Sequence, residues 1–179
     1  MKFLQKARAD LRLNFQDNFK LIYFGYVLAG HILLIDVLSK YIVADFLRSI
    51  PRKSYTVIPD FFYLTEVWNH GVSFGFLTAG SSLGLWFLRI STLLILCFLF
   101  YFHAVSRAKL ESYGLALIIG GACGNIFDRF FYGAVYDFLD VVIYGWHFWT
   151  FNIADSAISL GAVLMIGSQI FATSSKTTH

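Results

Sequence analysis

Four stretches of the chain are nearly unbroken runs of apolar residues, and the polar residues gather between them. The runs are Leu21–Ala44, Leu83–Val105, Tyr113–Phe131 and Ala154–Thr173. A helix needs about 20 apolar residues to cross the hydrocarbon of a bilayer, so the pattern predicts four transmembrane helices. The segments 45–82 and 132–153 follow a different pattern. "SYTVIPDFFYLTEVWN" (Ser54–Asn69) and "YDFLDVVIYGWHFWTF" (Tyr136–Phe151) are rich in β-branched and aromatic residues, as strands are. With Gly145 as a turn, they predict a small antiparallel sheet on the membrane surface, where tryptophan and tyrosine favour the interface. Leu77–Gly84 is expected to be a flexible lead into the second helix. The expectation is a mainly α, integral membrane protein with one domain over 1–179. Its four helices carry a small antiparallel β-sheet cradle on the outer face.

Lysine and arginine set the orientation. Lys2, Lys6, Arg8, Arg12 and Lys20 precede the first run, Arg107 and Lys109 lie between the second and third, and Lys176 follows the fourth. The first long linker holds Arg48, Arg52 and Lys53, and the last linker holds none. Both termini and the short linker are therefore expected in the cytoplasm, with the two long linkers outside. Arg89, near the outer end of the second run, is expected to snorkel to the headgroups. The N-terminal segment does not read as a cleavable signal peptide, because no small-residue cleavage site follows its apolar run. It carries no lipid-attachment motif.

Composition agrees with a membrane protein. Of 179 residues, 58% are hydrophobic and 14% charged, against roughly 25% charged in soluble domains. The net charge of +3 is small, and the expected surroundings are membrane lipid, not nucleic acid. Cys97 and Cys123 both lie inside apolar runs, which argues against a disulfide framework. Histidines 31, 70, 103, 147 and 179 are scattered, without the spacing of a zinc site. No metal and no cofactor is expected. No internal repeat is visible, which counts against transporter folds built on inverted repeats.

The informative residues are the polar ones inside or beside the runs, because ionisable groups in a membrane are costly and functional by default. Asp36 and Lys40 are spaced i,i+4 and can face each other on one helix. They could form a structural ion pair or support a polar site. Gly121, Asn125 and Asp128 share one face at the end of the third run, with Arg129 close to it. Ala116, Gly120 and Gly124 recur at four-residue spacing, as do Ala157 and Gly161, which suits close helix packing. Asp137 follows the third run and Asp155 opens the fourth, so both belong at the outer face. Two adjacent carboxylates share a proton, and such a pair can hydrolyse a peptide bond by general acid–base catalysis. The helix dipole favours ionised Asp155, making it the base. Asn152 or Asp155 could instead simply cap backbone N–H groups. Spacing leaves Asp140 as an alternative partner.

Four blocks of this sequence, in order, resemble the lipoprotein signal peptidase family, the bacterial type II signal peptidases. They are "DVLSK" (Asp36–Lys40), "VIPDFFYLTEVWNHGVSFGFL" (Val57–Leu77), "GGACGNIFDRFFYGAVYDF" (Gly120–Phe138) and "FNIADSAIS" (Phe151–Ser159). The second carries an Asn-x-Gly-x-x-Phe-Gly pattern, and His70, Val72 and Ser73 fill its variable or usually small positions. The resemblance implies an aspartic endopeptidase of the bacterial cytoplasmic membrane, with its site at the outer face. Its substrate would be a prolipoprotein whose cysteine carries diacylglyceryl, cut just before that cysteine. By position the catalytic pair falls on Asp137 and Asp155, which selects Asp137 over Asp140 by analogy. Asn69, Gly71, Asn125, Asp128, Arg129 and Asn152, with Asp36 and Lys40, would order the site and the substrate. Sensitivity to the cyclic peptide globomycin is implied, and the chain is expected to act as a monomer. A small ion-coupled transporter and a non-catalytic tetraspan scaffold are the competing classes.

Overall fold

The structure, a computed structural model, describes residues 2–71 and 82–174. The helices are α1 (Lys2–Arg48), α2 (Ser82–Val105), α3 (Lys109–Phe131) and α4 (Ile153–Ser174). The strands are β1 (Ser54–Ile58), β2 (Phe62–Asn69), β3 (Val135–Ile143) and β4 (Trp146–His147), with a 3-10 turn at Pro51–Lys53 before β1. Among the described residues, four helical segments are long and apolar enough to cross a membrane: Asn18–Arg48, Ser82–Val105, Lys109–Phe131 and Ile153–Ile170. The expected spans are therefore present. The helix carrying the first one is longer than the run Leu21–Ala44, because hydropathy marks only its lipid-compatible part. The backbone of α1 is already helical at Lys2 and breaks at Asn18 (φ −119°, ψ 22°). Val72, Ser73, most of the Leu77–Gly84 lead and Lys176 lie outside the described residues.

The bundle is built around α3. Half of its apolar window is buried, against at most 22% in the other three spans. Glycine makes this possible. A Cβ on Gly120 would meet the Ala29 carbonyl of α1 at 2.6 Å, and one on Gly121 would collide with the Ala154 carbonyl of α4. Gly114 and Gly161 touch each other's carbonyls across α3 and α4 in the same way. Small residues let backbones approach where lipid offers no hydrophobic drive for association, and the small-residue spacing in the sequence is thus explained by packing.

The sheet has the order β1-β2-β3-β4, antiparallel throughout. It caps the end of the bundle where α1 and α3 finish and α2 and α4 begin. Tyr144 (φ 51°) and Gly145 (φ 79°) form the two-residue turn between Ile143 and Trp146. Left-handed φ at both positions is what a tight hairpin requires, so the turn expected at Gly145 is present. The chain then doubles back. Phe151 donates to the Leu139 carbonyl at 3.0 Å, and its own carbonyl accepts from Leu139 at 2.8 Å and Phe138 at 3.0 Å. This return lays the start of α4 against β3.

Candidate active site

The return at Phe151 places Asn152 as the first contact between α4 and β3. Asn152 caps α4: its Oδ1 accepts the Asp155 N–H at 2.9 Å, and Asp155 Oδ2 accepts the Asn152 N–H at 3.3 Å. This is a reciprocal capping box in which Asn and Asp take the two roles. The capping explanation for Asp155 is therefore correct, and it leaves Asp155 Oδ1 pointing to other work. The remaining donor of the cap, Asn152 Nδ2, reaches Asp137 Oδ1 at 2.7 Å and Asn125 Oδ1 at 3.1 Å. Asn125 Nδ2 in turn donates to Asp155 Oδ1 at 2.8 Å. Two asparagines thus tie the carboxylates of Asp137 and Asp155 into one network.

Asp137 comes from β3 opposite Val67 of β2. The register between β2 and β3 shifts between Leu64 and Val67, a bulge of the kind that re-aims side chains next to functional sites. Two residues beyond Val67, Asn69 Nδ2 donates to Asp137 Oδ2 at 3.0 Å. Asn69 is fixed by its own turn, since its Oδ1 accepts the Gly71 N–H at 2.9 Å. Gly71 has φ +87°, a conformation that strains any L side chain, and a Cβ there would lie 2.6 Å from a Leu88 methyl, which would have to move aside. Asp137 is buried, while Asp155 is half-buried. Burial raises the Asp137 carboxyl to about 6, with a further upward push from the Asp155 charge, against the lowering effect of the Asn69 and Asn152 hydrogen bonds.

Behind the two carboxylates lies a buried ion triad. Lys40 Nζ stands 2.7 Å from Asp36 Oδ2 and 2.8 Å from Asp128 Oδ2, and donates to Asn125 Oδ1 at 3.4 Å. The i,i+4 pair expected from sequence is present, and each acid has a second partner. Asp36 Oδ1 accepts the Ala154 N–H of α4 at 2.8 Å. Asp128 Oδ2 accepts the Tyr136 N–H of β3 at 3.1 Å. Lys40 therefore couples the start of α4, which carries Asp155, to the start of β3, which carries Asp137. Arg129 Nη1 donates to the Asn125 carbonyl at 3.3 Å. Its enclosed Nε has no hydrogen-bond partner among the described residues, and the charges of Asp155, Asp137 and Asp128 all act on it.

All ten residues singled out in the sequence converge on this region. Asp140, the alternative partner, does not join the asparagine network: Thr65 Oγ1 donates to it at 3.2 Å, and His147 Nδ1 lies 2.9 Å from Oδ2. Adjacent strand positions face opposite sides of a sheet, so an offset of three residues turns Asp140 away from Asp137. His70 is exposed. Arg89 has protein partners at the end of α3. It bonds the carbonyls of Arg129 and Phe130 and packs on the rings of Trp86 and Phe130. It thereby satisfies open carbonyls at the end of α3. The signal for it was a cation facing a helix terminus, which sequence spacing within one helix does not show. Among the described residues no group of three or more His, Cys, Asp or Glu is placed to hold a metal.

The fold and site define a multi-pass membrane protein with a buried and a half-buried aspartate joined by asparagines at one end of its bundle. The sequence pattern of the signal peptidase (SPase) II family matches residues 28–171. Lipoprotein signal peptidases of Burkholderia ambifaria and Burkholderia multivorans are each 43% identical over 142 residues, 78% of this chain and 82% of theirs. A bacterial membrane enzyme solved by the in meso method at 2.3 Å superposes with a TM-score of 0.71 at 34% identity, covering 86% of this chain and 91% of that one. A second, at 1.9 Å, gives 0.67 at 31% identity, with 82% and 92% covered. The chain belongs to the signal peptidase II family, and it is a protease.

Proposed function

We propose that the protein is an aspartic endopeptidase that removes the signal peptide from diacylglyceryl-modified prolipoproteins by cutting before the lipidated cysteine. The observation that carries this reading is the asparagine bridge: Asn152 on Asp137 at 2.7 Å and Asn125 on Asp155 at 2.8 Å. The network draws together two carboxylates in unequal surroundings, which is how acid and base roles separate. Asp137, buried and raised, holds the proton. Asp155, more exposed and in the first turn of α4, is the base that takes a proton from water. Asp137 then protonates the peptide as the bond breaks. Arg129 adds positive charge where oxyanion charge develops. Asn69 and the Gly71 turn order the strand edge that receives the substrate backbone.

Location fits the substrate. The sheet lies at the end where the positive-inside pattern puts the outer face of the cytoplasmic membrane. Acyl chains can stay in lipid while the peptide reaches the pair and water. The termini then lie in the cytoplasm, the protein works as a single domain and a monomer, and globomycin would compete for the substrate's place.

The acid–base assignment has a pH signature. Activity should fall as pH rises through about 6, where Asp137 loses its proton. Asn69 stabilises the ionised form of Asp137 through its 3.0 Å bond. Asn69→Ala should therefore move the alkaline limb of the kcat profile to higher pH. A limb that stays in place, or moves down, contradicts Asp137 as the acid.

A further inference from the structure

The far end of the bundle carries a feature that proteolysis does not use. A cleft of about 500 Å³ opens there between α1 and α3. Its wall includes Asn18, Phe19, Lys20, Phe24, Lys109 and Tyr113. Both lysines are exposed. Phe19, Phe24 and Tyr113 are also exposed, at 51%, 56% and 38%, so the cleft joins two cations to an aromatic, lipid-compatible wall. The acid of the first α3 turn, Glu111, is engaged by Ser106 Oγ at 3.1 Å. At Ala108 no side chain caps the helix start.

The chain ahead of this cleft has the matching character. Before the break at Asn18 the backbone is helical from Lys2. The sequence of that segment mixes Lys2, Lys6, Arg8 and Arg12 with apolar residues, against two acids, Asp10 and Asp17. Basic residues beside a span are drawn to an anionic membrane surface. The break lets the segment leave the direction of the span, and it falls at the cleft itself. Residues 18–24 precede the stretch that matches the family pattern, which starts at residue 28, so this is a property of the chain's own N-terminal part.

We propose that this cleft binds the headgroup of an anionic phospholipid, with Lys20 and Lys109 on the phosphate and the aromatic wall against the acyl chains. Basic clefts between membrane helices on the cytoplasmic side hold such headgroups. A free anion would use the lysines alone; the apolar wall selects a lipid. The site does not depend on the peptidase chemistry.

Native mass spectrometry of the full-length protein in detergent tests the proposal, with phosphatidylglycerol and phosphatidylethanolamine offered in equal amounts. Phosphatidylglycerol should be retained preferentially. Lys20→Gln with Lys109→Gln should weaken its retention about thirtyfold, the effect of two near-surface cations, while Lys20→Arg with Lys109→Arg should keep it. Equal retention of the two lipids, or undiminished phosphatidylglycerol retention by the glutamine variant, overturns the site. Both lysines are exposed, and a thermal melt matching the wild type confirms that each variant is folded.

Discussion

Asp137→Asn and Asp155→Asn should each reduce cleavage of a lipidated precursor about 10³-fold or more, within the range general acid–base groups supply. Asparagine keeps the shape of aspartate and one of its acceptors. In Asp137→Asn, the Asn69 and Asn152 donors at 3.0 and 2.7 Å must compete for a single carbonyl oxygen. The substitution buries no new charge, so folding should survive. In Asp155→Asn the capping box loses one acceptor, which costs about 1 kcal/mol. Because the two acids act as one unit, the double variant should be little worse than either single one. Thermal melts and single-turnover cleavage on the same preparations separate lost chemistry from lost structure. Folded variants that retain ordinary cleavage contradict the paired role.

Lys40→Met should be the most destabilising single change at the site. The side chains of Lys40, Asp36 and Asp128 are 6%, 0% and 4% exposed. Methionine matches the length of lysine but leaves two buried acids without their cation, at a cost of about 3–5 kcal/mol. Activity should fall with stability, because Asp36 holds the Ala154 N–H and Asp128 the Tyr136 N–H. The spacing of Asp137 and Asp155 rests on those two bonds. Adding Asp36→Asn and Asp128→Asn removes the stranded charges and should recover much of the melting temperature, though not the activity. A Lys40→Met protein that melts like the wild type would show that the triad does not hold the two elements together.

The parts of this architecture that follow from local physics were legible in the sequence. Continuous apolar runs gave the spans, because a bilayer imposes their length. The Tyr144–Gly145 turn and its aromatic flanks gave the hairpin. Asp36–Lys40 and Asn125–Asp128 could be placed on helix faces from spacing alone. What spacing could not supply was contact between elements. That Lys40 would reach Asp128 on α3, 2.8 Å away, depends on the approach that Gly120 allows. The choice between Asp137 and Asp140 turned on which sheet face meets α4, and the β2 bulge and the Phe151 return decide that. The resemblance implies Asp137, and it is Asp137, not Asp140, that shares the Asn152 and Asn125 network with Asp155. The hydropathy pattern was silent on the helix ahead of Asn18, because its residues are too polar and charged to register as a span.

The most direct test of the function is the mass of the product. Purified protein in lipid should be given two forms of one prolipoprotein, with and without diacylglyceryl on its cysteine. The account expects one new chain beginning at the lipidated cysteine, with the signal peptide released, and little or no cleavage of the unmodified form. Equal cleavage of the unmodified precursor, or a cut at another bond, would contradict it.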